Sequence, residues 1–359
     1  MTFGLLRSGG RKREYVLALD LGSRTTKAVW LQKRDDGYAL LKYGIFDAPA
    51  QGKEPNTPPL GEHFRSILHS MEIQSPTISL ALGVGETIVR YAELPQMPLP
   101  DMRQVLKTNT RLYLQQDLTD YVFDCWPVNG KLAQEPDQRA EKARPPVVPK
   151  QKVLVAGARK ACIETVHTAI KQAGGIAGVV MPGLVAPINA LEKAEPELFQ
   201  REVVALVNLG FRHSSVCVLQ EGELVLSRVL ALGGDQVTQG LADVMGICYA
   251  EAEGIKLGVP GEVHDHLVSL LSPLGRELKA SIDFYEHQHD RPVTQVLVSG
   301  AGAVADWIVR ALQAEVVAEC RPWDPTAGLE RALAPRQLAE LEQVAPQLSV
   351  AVGTALSTI

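Results

Sequence analysis

The segment YVLALDLGSRTTKAVWLQ, residues 15–32, decides the fold of this chain. Both halves of the segment are apolar, and a short polar turn containing Gly22 separates them, so the pattern predicts two strands joined as a hairpin. In such a turn, backbone N–H groups and hydroxyls can converge on phosphate oxygens. The turn is therefore a candidate phosphate-binding loop, with a polar hairpin turn that binds nothing as the alternative.

A second segment repeats this pattern later in the chain. It is VVALVNLGFRHSSVCVLQ, residues 203–220, and it has the same order of strand, polar residue, glycine and hydroxyl residues. Together with ELVLSRVLAL, residues 223–232, it predicts a meander of three short strands. The likeness indicates an internal duplication, and two such turns could clamp phosphates from opposite sides.

A third glycine-bearing turn, Ser299-Gly300-Ala301-Gly302-Ala303, follows the apolar strand QVLVSG and precedes a helix predicted over residues 304–312. Its small residues permit a flat base or a ribose to approach the backbone. With Ala305 it also fits a loose form of the dinucleotide fingerprint. That fingerprint normally opens the first βαβ unit, and this turn comes late, so a dinucleotide site is disfavoured.

The overall composition indicates a folded protein with two subdivided lobes, because 359 residues exceed one ordinary hydrophobic core. A net charge of -5 and an aromatic content of 5% argue against nucleic acid as the main partner. The five cysteines are scattered without a C-x-x-C pair, which indicates reduced thiols. No signal peptide or run of roughly 18 apolar residues is found, so we expect a cytoplasmic protein without direct membrane insertion.

The remaining secondary structure follows from hydrophobic periodicity and turn residues. The charged, proline-containing stretch at residues 129–151 predicts a mobile loop. The predicted elements are a helix through Phe64 and Met71, a strand over 77–82, a helix containing Val105 and Leu114, a strand around 121–128, a strand KVLVAGA, helices over 160–173, 235–245 and 275–289, and a weak helix in the tail SVAVGTALSTI.

Taken together, these segments resemble the actin-like ATPase superfamily, and most closely the family of the type IV pilus assembly protein PilM, a relative of the cell-division protein FtsA. The resemblance covers nearly the whole chain. The motifs that carry it are DLGSRTTKAV (20–29), RYAELPQMP (90–98), NLGFRHSSV (208–216), SRVLALGGDQVTQGLA (227–242), AEAEGIK (250–256), VLVSGAGA (296–303) and AVGTAL (351–356).

The resemblance implies an α/β, actin-like two-lobed ATPase fold, with duplicated ribonuclease H-like cores and an inserted FtsA-type subdomain. The implied boundaries are subdomain 1A over residues 12–83 and 176–200, with 343–359 returning to it; subdomain 1C over 84–175, containing the loop at 129–151; subdomain 2A over 201–235 and 296–342; and subdomain 2B over 236–295.

The resemblance also implies that ATP with Mg²⁺ binds between the lobes. The implied partner is PilN, a bitopic protein whose short N-terminal tail would be gripped at the cytoplasmic face of the inner membrane. Asp20 would hold Mg²⁺ through water, since magnesium usually keeps several waters. The candidate nucleotide-binding residues are Asp20, Gly22, Ser23, Thr25, Thr26, Lys27, Asn208, Gly210, Arg212, Ser214, Gly233, Gly234, Glu253, Lys256, Gly300, Ala301 and Gly302.

Some of these candidates have a second interpretation. Gly233 and Gly234 precede a predicted helix, and Glu253 lies one helical turn from Lys256, so a helix cap and a solvated ion pair are the alternatives to a nucleotide site. Arg212 could bind phosphate or be an exposed turn residue. The histidine pairs at 264/266 and 287/289 are two residues apart and face different directions on a helix, so any metal is expected to come with the nucleotide.

The second turn departs from the family pattern, because Asn208 stands where the family usually has aspartate. Asparagine can hydrogen-bond a metal-bound water but brings no negative charge. No residue stands out as a general base for attacking water or a sugar hydroxyl. We therefore expect at most slow ATP hydrolysis.

Three functions compete on the sequence alone. The first is a nucleotide-regulated scaffold in which ATP holds the lobes closed. The second is a small-molecule kinase of the sugar-kinase branch, which should show a base carboxylate in the first lobe. The third is an FtsA-like filament docked to membrane, for which a basic amphipathic C-terminal helix is expected, whereas SVAVGTALSTI has no charge. The loop at 129–151 could contact another pilus component.

Overall fold

The computed structural model describes residues 6–7, 13–49, 57–128, 149–258 and 261–359. The strands within these ranges are β1 (Leu6–Arg7), β2 (Tyr15–Leu21), β3 (Thr25–Arg34), β4 (Gly37–Asp47), β5 (Thr77–Leu82), β6 (Thr87–Pro95), β7 (Tyr121–Pro127), β8 (Lys150–Arg159), β9 (Ile176–Pro182), β10 (Val203–Leu209), β11 (Ser214–Gln220), β12 (Glu223–Leu230), β13 (Gln295–Gly300), β14 (Glu319–Pro322) and β15 (Glu330–Arg331).

The helices are α1 (Thr57–Ser70), α2 (Leu99–Thr108), α3 (Thr110–Leu114), α4 (Lys160–Gln172), α5 (Ala186–Ala194), α6 (Pro196–Arg201), α7 (Gly234–Met245), α8 (Tyr249–Gly258), α9 (His264–His289), α10 (Asp306–Glu315), α11 (Pro335–Val344) and α12 (Ser349–Leu356). Short 3₁₀ helices cover Gly261–Val263, Ala301–Val304 and Ala345–Leu348.

The first lobe is built on a seven-stranded mixed sheet with strand order β1-β9-β5-β2-β3-β4-β15. Strands β2 and β3 form an antiparallel hairpin, and β2 runs parallel to β5. Four consecutive residues of β2, from Val16 to Leu19, are fully buried. Such a continuous buried run is typical of a central strand whose sheet is covered on both faces. Helix α12 packs across β2, β3 and β5.

The second lobe is built on a five-stranded sheet with order β12-β11-β10-β13-β14, covered by helices α7 to α10. Alternate residues of a strand point to opposite faces. Val203, Ala205 and Val207 accordingly pack into the core of the second lobe, whereas Val204 and Leu206 pack into the core of the first lobe. The second sheet is therefore a wall shared by both cores, and it joins the two lobes.

A third sheet, with order β6-β8-β7, is antiparallel and packs with α2 and α3 around a small core of its own. That core includes Leu94, Met102 and Leu106. The Tyr91 hydroxyl donates a hydrogen bond to the carbonyl oxygen of Leu224 at the start of β12. The third sheet is thus attached to the second lobe as well as to the first.

The hairpin predicted at residues 15–32, the later meander, the strand at 77–82 and the C-terminal helix are confirmed. Three elements differ from the prediction. The helix expected over 275–289 begins at His264, because Leu267, Leu271 and Leu274 continue its buried face through Pro273. The helix expected around Val105 and Leu114 is two helices, since the backbone leaves the helical region at Asn109.

The third turn is predicted to lead into a helix over 304–312, but residues 301–304 form a 3₁₀ helix and the following α-helix begins at Asp306. The loop expected at 129–151 falls outside the described residues up to residue 148, while Lys150 and Gln151 already belong to β8. The subdomain boundaries given above stay a prediction.

Candidate functional site

The first turn (residues 20–27) and the second turn (residues 208–215) have the same geometry. A Cβ atom added to Gly22 would lie 2.6 Å from the carbonyl oxygen of Thr25, three residues ahead, and one added to Gly210 would lie 2.3 Å from that of His213. Both distances are too short for any side chain. The strand register also matches, because Asp20 pairs with Lys27 across the first hairpin and Asn208 pairs with Ser215 across the second.

The first turn carries an ion pair and a held hydroxyl. Lys27 Nζ lies 3.6 Å from Asp20 Oδ2, and both side chains are largely buried. Burial raises the pKa of Asp20, and the charge of Lys27 opposes this shift only in part. The hydroxyl of Thr26 is 2.8 Å from His63 Nε2, and burial lowers the pKa of His63.

The second turn is neutral in its strand pair and leaves one hydroxyl free. Ser214 is 1% exposed, and its hydroxyl has no hydrogen-bond partner in the described part of the chain. The turn itself is fixed to the start of α7. The N–H of Gly234 donates a hydrogen bond to the carbonyl oxygen of Gly210 at 3.0 Å, and the N–H of Asp235 donates one to the carbonyl oxygen of Phe211 at 2.9 Å. Trp323 Nε1 and Ser349 Oγ also have no partner among the described residues, but neither residue lines the cavity. Ser214 is a candidate ligand contact because its buried hydroxyl is both unpaired and part of the cavity lining.

The third turn (residues 299–303) packs against the second. Gly300 has a φ of +87°, a conformation that favours glycine. A Cβ atom there would meet the Leu209 carbonyl oxygen at 2.4 Å and Asn208 Oδ1 at 2.5 Å. Gly300 therefore allows the backbone of the third turn to approach Asn208.

A polar cluster on α8 closes another side of the site. Lys256 is 8% exposed, and its Nζ donates to Glu253 Oε2 at 2.7 Å, to Thr238 Oγ1 at 2.7 Å and to the Gly234 carbonyl oxygen at 3.2 Å. Burial favours a higher pKa for Glu253, but hydrogen bonds from Lys256 and Thr238 and the charges of Lys256 and Arg24 lower it overall. The two residues form a buried network and not a solvated pair.

One cavity of about 410 Å³ lies between the lobes, a size typical of small-molecule sites. Every candidate nucleotide-binding residue predicted from the sequence lines it, although none is thereby shown to bind a nucleotide. They are Asp20, Gly22, Ser23, Thr25, Thr26, Lys27, Asn208, Gly210, Arg212, Ser214, Gly233, Gly234, Glu253, Lys256, Gly300, Ala301 and Gly302.

Sequence patterns did not select Arg24, Phe211, Thr238 and His63, which contact the predicted residues or line the same cavity. Arg24 NH1 lies 3.0 Å from Glu253 Oε1, and its guanidinium is 5.1 Å from the centroid of the Phe211 ring. These partners are far away in sequence, so no local pattern could pair them. Arg24 and Phe211 do lie inside the two quoted turns.

The carboxylates lining the cavity are Asp20, Glu86 and Glu253. Each has a cationic partner: Lys27 at 3.6 Å, Arg159 at 3.6 Å and Lys256 at 2.7 Å, respectively. Within the described ranges, no group of three or more histidine, cysteine, aspartate or glutamate side chains is placed to hold a metal ion. A divalent ion bound here would need further ligands from water or from a bound molecule.

Two lobes whose sheets present matching glycine turns to one cavity define the class of this protein, which has the actin-like fold. The chain belongs to the family of the type IV pilus assembly protein PilM, whose family model matches residues 138–359, more than half of the sequence. Along the described residues, no helix is both long enough and apolar enough to cross a bilayer.

The chain is also similar to a cell-division protein. Cell division protein FtsA of Bacillus subtilis (strain 168) is 22% identical over 262 residues, which is 68% of this chain but 57% of that protein. The chain therefore spans little more than half the length of this relative.

Two solved structures show the fold. A PilM-PilN type IV pilus biogenesis complex superimposes with a TM-score of 0.80 at 21% identity, covering 96% of this chain and 98% of that one. Ethanolamine utilization protein EutJ from Carboxydothermus hydrogenoformans gives a TM-score of 0.55 at 13% identity, covering 98% and 92%.

Proposed function

We propose that this protein is a nucleotide-regulated scaffold of type IV pilus assembly that binds ATP with Mg²⁺ in the cavity between its lobes. The observation that carries the proposal is the pair of matching glycine turns, one from each sheet, that line one cavity together with the unpaired, buried hydroxyl of Ser214. A phosphate oxygen is a suitable acceptor for that hydroxyl.

The charges of the first turn fit a phosphate chain with magnesium. Lys27 would meet phosphate, and Asp20 would hold Mg²⁺ through water, since Mg²⁺ takes one or two carboxylates and completes its shell with water and phosphate. Bound Mg²⁺ would also favour the ionised form of Asp20, whose pKa burial raises. Lys256 already has three acceptors, so it would supply positive charge more than new hydrogen bonds.

Slow turnover is part of the proposal. A general base needs a carboxylate or imidazole free to accept a proton from the attacking group. Asp20, Glu86 and Glu253 are each paired with a cation, and Asn208 is neutral. The imidazole of His213 also lines the cavity and is the one remaining candidate base among the described lining residues, so we expect turnover to be slow. The bound nucleotide would therefore act as a switch that controls the arrangement of the lobes.

The proposed partner is a PilN-like bitopic inner-membrane protein, gripped by its cytoplasmic N-terminal tail. Membership in the PilM family and the similarity to a PilM-PilN complex over nearly the whole chain support this partner. The protein would then lie in the cytoplasm, peripheral to the inner membrane through its partners.

Calorimetry with ATP and Mg²⁺, with and without a synthetic peptide from the N-terminus of the PilN-like protein of the same organism, tests both parts. We expect ATP binding that depends on Mg²⁺. Ser214→Ala should weaken it about tenfold, the effect of one hydrogen bond to a charged group. The control is Thr168→Ala, whose hydroxyl bonds within α4 to the Glu164 carbonyl oxygen and lies outside the cavity.

Failure to bind both ATP and the peptide would sink the scaffold proposal. Phosphorylation of a small sugar or acid by the same sample would favour the kinase, and filaments on lipid vesicles would favour an FtsA-like assembly.

A further inference from the structure

Arg24 connects the two sides of the cavity. It lies in the first turn, yet its side chain contacts Glu253 on α8 and Phe211 in the second turn, both of which belong to the second lobe. Among the ion pairs of the described residues, Arg24–Glu253 is the one that joins cavity-lining residues of different lobes.

The acceptor for Arg24 is built in advance by the second lobe. Glu253 Oε2 accepts hydrogen bonds from Lys256 and Thr238, which leaves Oε1 for Arg24. The backbone of Phe211 is fixed by its bond to the N–H of Asp235. Glu253 is only 16% exposed, although Arg24 is 43% exposed. Because the second lobe positions both partners, the contact loses less side-chain entropy than an ordinary surface pair.

The matching arginine of the second turn behaves differently. Arg24 and Arg212 each lie two residues after the glycine of their turn. Arg212 is exposed and makes no ion pair or aromatic contact with the other residues that the structure describes. The cross-cavity contact is therefore specific to Arg24 and is not a general property of this turn.

We infer that Arg24 is a clamp that holds the lobes together across the cavity and slows the escape of the bound ligand. The part that concerns the ligand rests on the proposed nucleotide function. Arginine has several N–H donors in a planar fork, so the donors not used by Glu253 can bind a phosphate oxygen. A bound phosphate would then strengthen the contact between the lobes, because Arg24 can keep its ion pair with Glu253 and donate a further hydrogen bond to a phosphate oxygen.

Other contacts between the lobes limit the expected opening. The His213 ring lies against Gly85, 3.6 Å from where a Cβ atom would be, and the shared second sheet joins both cores. Loss of the clamp should therefore widen the cavity without separating the lobes.

The distance between the lobes tests the clamp without any nucleotide. Spin labels at His69→Cys in α1 and Val244→Cys in α7, in a Cys248→Ser and Cys320→Ser background, report it by pulsed electron paramagnetic resonance. Arg24→Ala should lengthen and broaden the distance distribution. High salt should do the same in the parent protein and have little effect in Arg24→Ala. Arg24→Lys should give an intermediate result, because it keeps the charge and loses the planar fork.

The control is Arg228→Ala. Arg228 lies 5.2 Å from the Phe284 ring, so it makes the same kind of contact within one lobe, and its loss should leave the distance unchanged. Phe211→Leu provides a second variant that removes the ring and retains an apolar side chain. Identical distance distributions for the parent protein, Arg24→Ala and Phe211→Leu would overturn the clamp.

The ligand part is measured by the dissociation rate of a fluorescent ATP analogue. Arg24→Ala should release it about three- to tenfold faster, the combined effect of a modest ion pair and one cation–π contact. If Arg24→Ala alters the distance between the spin labels but leaves the dissociation rate unchanged, Arg24 holds the lobes together without controlling ligand escape. If the parent protein binds no nucleotide, the proposed function fails, while the distances still decide whether Arg24 holds the lobes.

Discussion

The first and second turns have one backbone design and two chemistries. Both use a glycine that closes against a carbonyl oxygen three residues ahead, and both have the same strand register. At the paired strand positions the first turn has Asp20 and Lys27, whereas the second has Asn208 and Ser215. The shape of the turn is therefore independent of its charge.

A second difference concerns the hydroxyl that lies four residues after each glycine. Thr26 in the first turn is held by His63, and Ser214 in the second turn has no partner among the described residues. The hydrogen bond of the first turn is therefore made within the first lobe, whereas the hydroxyl of the second turn stays available to a molecule in the cavity. The charged strand pair lies in the first lobe and the unpaired hydroxyl in the second.

The largest expected effect comes from filling the space that both glycines leave. Gly210→Ala and Gly22→Ala should each lower the free energy of unfolding by about 1–3 kcal/mol, because the new Cβ atom forces the backbone apart. The loss should be greater at Gly210, where the approach is 2.3 Å, than at Gly22, where it is 2.6 Å. Urea denaturation measures both.

Gly254→Ala on α8 is the matched control, since no atom lies within 4 Å of its added Cβ. This variant should gain stability, as alanine does over glycine in a helix. Equal stability of all three variants would contradict the shared closure of the two turns.

Transplanting the charge of the first turn into the second should have the next largest effect. Asn208→Asp should cost roughly 1–2 kcal/mol, because the new carboxylate faces Ser215 in place of a lysine. The double variant Asn208→Asp with Ser215→Lys rebuilds the pair and should recover part of the loss. Chemical denaturation of the two single variants and the double variant measures this coupling. If the loss of stability in the double variant equals the sum of the losses in the two single variants, the second turn cannot hold the ion pair of the first.

The two hydroxyls should differ by a smaller amount. Thr26→Val should cost about 1 kcal/mol, because it leaves His63 without its hydrogen bond. Ser214→Ala should leave the free energy of unfolding unchanged or raise it by up to about 1 kcal/mol, because it removes a buried hydroxyl that has no bond to lose. Thermal unfolding without nucleotide separates the two cases. A large loss in Ser214→Ala would mean that Ser214 has a structural partner and does not await a ligand.

The pH dependence should give the smallest effect. The pKa of folded Asp20 is raised above its ordinary 3.8, so over the window above 3.8 the folded state keeps a proton that the unfolded state has released. The contribution of Asp20 to the unfolding free energy therefore falls as pH rises through that window. Asp20→Asn removes this titration, and its stability relative to the parent should rise with pH and then level off.

Asp117 is a control of opposite sign. Hydrogen bonds from Arg111 and Thr119 lower the pKa of Asp117. The stability of Asp117→Asn relative to the parent should therefore fall as pH rises through the window below 3.8. Unfolding curves in a series of buffers measure both variants. The same slope for both would refute the assigned direction for Asp20.

Much of the fold was accessible from the sequence because its central strands are local patterns. The hairpin at 15–32 and the strand at 77–82 are predicted by apolar runs that lie next to glycine and polar turns. The start of α9 could not be predicted from the sequence, because a proline such as Pro273 usually ends or kinks a helix. Packing of Leu267 and Leu271 in the core of the second lobe offsets the cost of this proline.

The candidate site divides in the same way. The sequence by itself determined the three glycine turns, because close backbone approach leaves glycine as the one residue that fits and such residues stand out in a strand pattern. Tertiary structure alone decided that Arg24 meets Glu253 and Phe211, that His63 holds Thr26 and that Ser214 is left unpaired. These contacts join residues far apart in the chain, and whether a buried polar group finds a partner depends on how the two sheets face each other, which no local pattern encodes.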